Sequence, residues 1–191
     1  DPKMISRLHQ SLLSISPAFK EIISLVLGKV NLLPPAAGMA GVYAQNDDQT
    51  GVWKAPANVS INNVTGLPLN ITSAEQEDLN TPQDGKAVNA IREFPGMGIL
   101  VWGARTLAGN NNEWRYISVR RTAIYLEASI QETLKANVFE SNDANTWANL
   151  KSSISNFMEG LWQQGALSGA SAKDAYFVNV GLNSTMTQND I

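Results

Sequence analysis

A near-continuous apolar run, Ile99-Leu100-Val101-Trp102-Gly103-Ala104, limits what this chain can fold into more than any other segment. Side chains alternate across a strand, so apolar residues at both parities require cover on both faces. A strand of that kind sits at the centre of an α/β arrangement, and Gly96-Met97-Gly98 supplies the turn leading into it. Val88-Asn89-Ala90-Ile91-Arg92 reads as a strand of mixed character, Val138-Phe139-Glu140 as a short strand and Tyr176-Phe177-Val178-Asn179-Val180 as the last one. Between them lie two amphipathic helices. Val119, Ala123, Leu126, Ile130 and Leu134 mark the first, and Trp147, Leu150, Ile154, Phe157 and Leu161 mark the second. Asn142 or Asp143 caps the second, and Gly165 stops it.

The alternation predicts an α/β fold with a small mixed sheet packed with helices. A helical arm precedes it. Ile5, Leu8 and Leu12 recur at helical spacing, Ser16-Pro17 restarts the helix, and Phe19, Ile22, Ile23, Val26, Leu27 and Val30 form the next stripe until Pro34-Pro35 ends it. Residues 1–33 are therefore expected to be an arm and residues 34–191 a core domain. Within the core, small residues from Ala36 to Ala44 allow close helix packing, and residues 45–50 read as a polar turn closed by Gly51. Residues 52–69, punctuated by Pro56, Gly66 and Pro68, read as loop with short edge strands. Thr72 or Ser73 caps a brief helix with Glu75, Gln76 and Glu77 in its first turn.

Chemistry finds little support. The single histidine, His9, falls on the polar side of a short helix, and no second histidine or thiol joins it as a zinc ligand. Gly96-Met97-Gly98 precedes a strand instead of opening a helix, so it is not a dinucleotide fingerprint. Asn46-Asp47-Asp48-Gln49-Thr50-Gly51 has calcium-loop order, but Ala57 stands where the bidentate glutamate belongs. Asn58, Asn63, Asn70 and Asn183 begin glycosylation patterns that chance explains in so asparagine-rich a chain. Glu93, Glu113, Glu127, Glu132, Glu140, Asp143 and Glu159 are scattered. No catalytic, cofactor-binding, metal or nucleic-acid residue is assigned, no cofactor is expected, and the chain does not read as an enzyme.

A net charge of −3 argues against a nucleic-acid partner, with Arg115, Arg120 and Arg121 the one basic cluster. No run approaches the ~20 apolar residues of a membrane helix, so membrane insertion is not expected. Only 16 % of residues are charged, and such a polar surface packs on its like at small desolvation cost.

Three further segments hold backbone in place: Gly51-Val52-Trp53-Lys54-Ala55-Pro56-Ala57-Asn58, Val101-Trp102-Gly103-Ala104-Arg105-Thr106-Leu107 and Glu113-Trp114-Arg115-Tyr116. Trp53, Trp102 and Trp114 can anchor loops onto the sheet, and Arg92 and Arg105 can pair with Glu113 or Glu140 within the core or reach a neighbour, the pairing within the chain being the favoured reading. Taken in order with Leu33-Pro34-Pro35-Ala36, Val138-Phe139-Glu140 and Ala175-Tyr176-Phe177-Val178, they resemble the C-terminal core domain of contractile-tail sheath proteins. Phage tails and phage-like contractile injection systems carry such sheaths. The resemblance covers residues ~17–191.

That resemblance implies a structural subunit that polymerises as hexameric rings around an inner tube. Its partners would be other copies of itself through strand exchange, the tube protein and the baseplate. Contraction would drive the tube through a target envelope. The apparatus would be a virion tail or injection device assembled in the bacterial cytoplasm. It also implies a variable outer domain ahead of Pro17 and further strands after Thr187, so the sequence is expected to be part of a longer protein trimmed at its C-terminal strands. Subunit and tube contacts are left unassigned. The competing readings are a small α/β enzyme or nucleotide-binding domain, and a secreted adhesin-like domain. An enzyme requires a concave pocket of convergent polar groups. A sheath piece requires an unpaired sheet edge.

Overall fold

The computed structural model describes residues 1–190; Ile191, the end of the expected core, lies outside the described residues. Helix α1 (Pro2–Ile15) and helix α2 (Pro17–Val30) meet at Ser16. The Ser16 amide donates to the Leu12 carbonyl, closing α1, while its hydroxyl accepts from the Phe19 N–H at 3.3 Å, opening α2. One residue thus serves as both caps, with Pro17 at the first helical position. The two axes bend by 112° there. His9 lays its ring edge-on to Phe19 at 5.5 Å. Neither helix buries a single residue.

Helix α3 (Ala36–Gln49) starts behind Pro34-Pro35 and buries Val42 against Ile61 and Val101. Ala36, Ala37, Ala40, Gly41 and Ala44 stay exposed, so of the small residues expected to allow close packing only Gly38 is used for it. At Gly38 a Cβ would stand 3.1 Å from the Ile61 side chain, which is how closely the helix approaches. The polar turn expected at residues 45–50 is helical as far as Gln49. Its polar side chains find tertiary partners, and those override the local preference for a turn. Strand β1 (Val59–Ser60) lies in the expected loop region. Helix α4 (Ser73–Asn80) is opened by Thr72: its hydroxyl accepts from the Glu75 N–H, and the Glu75 carboxylate accepts from the Thr72 N–H at 2.8 Å.

Strands β2 (Ala90–Phe94) and β3 (Gly98–Trp102) form a hairpin, and the sheet order is β1-β3-β2. All pairing is antiparallel, with Val59 opposite Val101 and Arg92 opposite Leu100. The expected apolar strand is central and covered on both faces, since adjacent Leu100 and Val101 are both buried. The sheet is small and packed with helices as expected, but antiparallel instead of mixed. The link Pro95-Gly96-Met97 is too short for a crossover and can only reverse the chain. Gly96 and Gly98 take φ of 78° and 80° there, a region most side chains avoid. Val42, Ile61 and Val101 form the core, with Met39, Val59 and Ile91 against them.

Helix α5 (Ile117–Lys135) and helix α6 (Ala144–Gln163) follow. Asp143 caps α6 by accepting from the Asn145 and Thr146 N–H groups at 2.9 Å. Helix α7 (Ala172–Ala175) is a single turn, and a 3-10 turn spans Gln188–Asp190.

Two expected strands are absent from the sheet. Val138-Phe139-Glu140 is a turn, closed by the Glu140 N–H donating to the Asn137 carbonyl at 3.2 Å. Residues 176–180 are extended and alternate half-buried with exposed, yet belong to no ladder. Tyr176 explains why: its hydroxyl bonds the Ser155 carbonyl and the Glu159 carboxylate on α6, both at 3.1 Å, so the segment lies on a helix instead of a strand.

Candidate assembly surfaces

The residues that could carry chemistry are not brought together. His9 is exposed on α1. Asn46 and Asp47 sit within α3, so no calcium-type loop exists there. Among the described residues no three His, Cys, Asp or Glu side chains cluster as a metal site. A depression of about 440 Å³ is shallow and lined by Thr106, Leu107, Ala108, Trp114 and Arg120. Arg120 is its only ionisable group. Three asparagines of the glycosylation patterns, Asn58, Asn63 and Asn183, have φ near 60°. Asparagine tolerates that left-handed conformation, which gives these residues a turn-forming role.

What the segments carry is clasps. Gln76, buried on α4, donates from Nε2 to the Trp102 carbonyl and accepts at Oε1 from Arg92 at 2.6 Å. Asn89 imitates a strand partner: Nδ2 donates to the Arg105 carbonyl and Oδ1 accepts from the Arg105 N–H, each at 2.8 Å. Gly103 permits this, because a Cβ there would lie 2.9 Å from the Asn89 Cα. Buried Asn46 donates to the Lys54 carbonyl at 3.0 Å, fixing the loop in which Trp53 lies over Gly51. None of these side-chain-to-backbone clasps has a local sequence signal.

Arg92 and Arg105 do not pair with Glu113 or Glu140. Arg92 bonds Gln76 and lies 5.0 Å over Phe94, while Arg105 bonds the Gly109 carbonyl at 3.1 Å and faces Tyr116. Arg92 finds Phe94 two residues along its own strand, and Arg105 is set beside Tyr116 by the antiparallel bridge between those two residues, so each guanidinium already has an aromatic face as partner. Arg120 likewise stacks on Trp114 at 5.0 Å.

The long-range ion pair joins α3 to α5. Arg121 donates to both oxygens of Asp47, at 2.7 Å from one nitrogen, and lies 4.8 Å over the Tyr43 ring. The Arg121 hydrogen bonds hold the Asp47 carboxyl below its ordinary value and raise the Arg121 guanidinium in turn. A depressed carboxylate contributes stability that is fully present above its unfolded value and lost as pH falls through the folded one. Asp47→Asn should therefore be less stable than the parent by about 1 kcal/mol at pH 7, the pair being partly solvated. That gap should begin to narrow below about pH 4 and close as pH falls through the lower folded value, and thermal melts of both proteins from pH 7 to pH 2 measure it. A gap as wide at pH 2 as at pH 7 would show that the pair does not act through charge.

Several surfaces are left open. Strands β1 and β2 each have β3 on one side and no strand on the other among the described residues. Helices α1 and α2 expose Ile5, Leu8, Ile15, Ile22, Leu25 and Val30, among others. Leu107 and Phe139 project at the two ends of α5. No single helix among the described residues is long and apolar enough to cross a membrane. Surfaces that combine apolar side chains with unpaired backbone are those that copies of a protein use on one another.

Comparison with known proteins agrees. A family model of the phage tail sheath protein central domain matches residues 10–107, and one of the phage tail sheath C-terminal domain matches residues 110–190. The boundary falls at the asparagine-rich loop before α5. The tail sheath protein of Vibrio phage KVP40 is 28 % identical over 138 residues, which is 71 % of this chain and 20 % of the relative. A sheath complex of the extracellular contractile injection system PVC, in its contracted state, superposes with a TM-score of 0.78. It is 44 % identical, covering 83 % of this chain and 44 % of that one. The helical sheath of the anti-feeding prophage, also contracted, gives 0.75 and 46 % identity over 83 % of this chain and 43 % of its own. The chain thus spans about a fifth of the curated relative and less than half of either solved sheath chain. With models of two sheath domains matching nearly its whole length, this chain belongs to the phage tail sheath family.

Proposed function

We propose that this chain is the core portion of a structural sheath subunit in a contractile tail or injection apparatus. Residues 1–33 serve as its helical arm and residues 34–191 as its α/β core. Copies assemble as hexameric rings around an inner tube, with the baseplate at one end. The assembled sheath contracts to drive the tube through a target envelope, by rigid-body movement of cores about flexible links. The apparatus assembles in the bacterial cytoplasm, and its subunit is structural instead of catalytic.

The observation that carries this reading is the similarity, 44 % identical and TM-score 0.78, to a solved sheath of a contractile injection system. Another match comes from an anti-feeding prophage baseplate solved with six-fold symmetry, which supports rings of six and a baseplate contact. The fold supplies a border at β2 able to accept a strand from a neighbour. Negative-stain microscopy of the full-length protein tests it. Long hollow cylinders of hexagonal cross-section are expected; monodisperse monomers that turn over a substrate would overturn it.

A further inference from the structure

Phe139 is fully exposed, at 102 % of the reference area, and its φ is 75°. It holds the third position of the turn closed by Glu140 and Asn137, a place suited to glycine or asparagine. A bulky side chain there costs backbone energy, and an aromatic ring in water gains nothing that offsets it. Val138 beside it is exposed as well. Among the described residues, nothing at this end of α5 covers the ring.

The opposite end of α5 carries the complement. Leu107, Ala108, Thr106 and Trp114 line the 440 Å³ depression, with Arg120 on its rim. Leu107 is exposed, and Trp114 is only half-buried. Among the described residues Arg120 has no carboxylate partner, and neither has Glu140 a cationic one. Arg120 also stands in the first turn of α5, where the helix dipole disfavours a cation, so local helix stability does not explain it.

An aromatic knob next to a carboxylate faces a Trp-Leu socket next to a guanidinium, with α5 between them. That helix has 19 residues, so the two ends are about 28 Å apart at 1.5 Å per residue. The knob cannot reach the socket of its own chain. We infer that Phe139 of one copy seats in the Leu107–Trp114 depression of another, with Glu140 against Arg120. Such a contact joins unlike surfaces head to tail, so it propagates into a closed ring or an open helix instead of stopping at a dimer. The inference deepens the sheath reading and rests on it.

The chain has no cysteine, which gives a clean background for cross-linking. Ser141→Cys and Asn112→Cys each introduce a single thiol at an exposed position beside one half of the contact and leave Phe139, Glu140 and the socket residues unchanged. Mixed under oxidising conditions, the two variants should yield heterodimers about tenfold over either homodimer, and the double variant a covalent ladder. Adding Phe139→Gly, which removes the ring and relieves the turn, should cut the yield about tenfold without loss of folding. Heterodimers no more abundant than homodimers, or a yield indifferent to Phe139→Gly, would overturn the contact. Cylinders from the full-length protein without that cross-link would leave the sheath reading standing and remove only this one.

Discussion

Gln76→Ala is expected to lower the unfolding free energy by about 3 kcal/mol, read as a shift in the urea midpoint at constant slope. The side chain is buried and holds two partners in opposite senses, donating to the Trp102 carbonyl and accepting from Arg92. Truncation removes a donor from the Trp102 carbonyl and leaves the Arg92 guanidinium only a 3.5 Å bond to Ser73 and the Phe94 face, while Arg92 Nε is already buried and unbonded. Stranding a buried polar group costs about 1–3 kcal/mol, more for a charged one. Gln76→Glu separates the two halves. It keeps an acceptor for Arg92 but loses the donor to Trp102, so it should fall between the parent and Gln76→Ala. A loss under about 0.5 kcal/mol for Gln76→Ala, the size of an ordinary surface change, would show that water takes over both partners.

Val101→Ala should cost about 2–3 kcal/mol by another route, the loss of two buried methyl groups and a cavity that cannot close. Val101 is 1 % exposed and sits between α3 and the sheet, with Val42 and Ile61 against it. Few side chains in this fold are so enclosed, so no neighbouring core can absorb the gap. Because Gln76 bonds the residue next to Val101, the two substitutions touch the same strand. The double variant should therefore lose less than the sum of the singles. Strict additivity in denaturant titrations would mean that β3 transmits nothing between them.

These two residues also mark what could be read beforehand. Val101 belongs to an apolar run with both parities filled, and that pattern alone placed it in a central strand. Thr72 with Glu75, Ser16 with Pro17, and Asp143 announced their helix starts because a cap acts within three residues of chain. Gln76, Asn89, Asn46 and the Asp47–Arg121 pair gave no such notice. Each acts across a loop or between elements distant in sequence, and nothing in a polar residue's neighbours says which carbonyl it will find. The same limit explains the two strands that did not form. Residues 176–180 alternate correctly, but alternation reports a half-buried extended chain and not what lies beside it; here α6 does. Val138-Phe139-Glu140 has strand-forming side chains in a turn, and the misfit between preference and position is itself the clue to its use. The assembly surfaces were legible only through resemblance, since exposure is a property of the folded chain.

The bend at Ser16 leaves α1 and α2 held chiefly by each other, with no residue of either enclosed. Their peptide hydrogens should then trade with deuterated solvent at rates near those of a free helix pair, while those of β3 wait for global opening. If neighbouring subunits cover the pair in the proposed assembly, that difference should vanish, and the first thirty residues would then serve as a built-in gauge of how far polymerisation has gone.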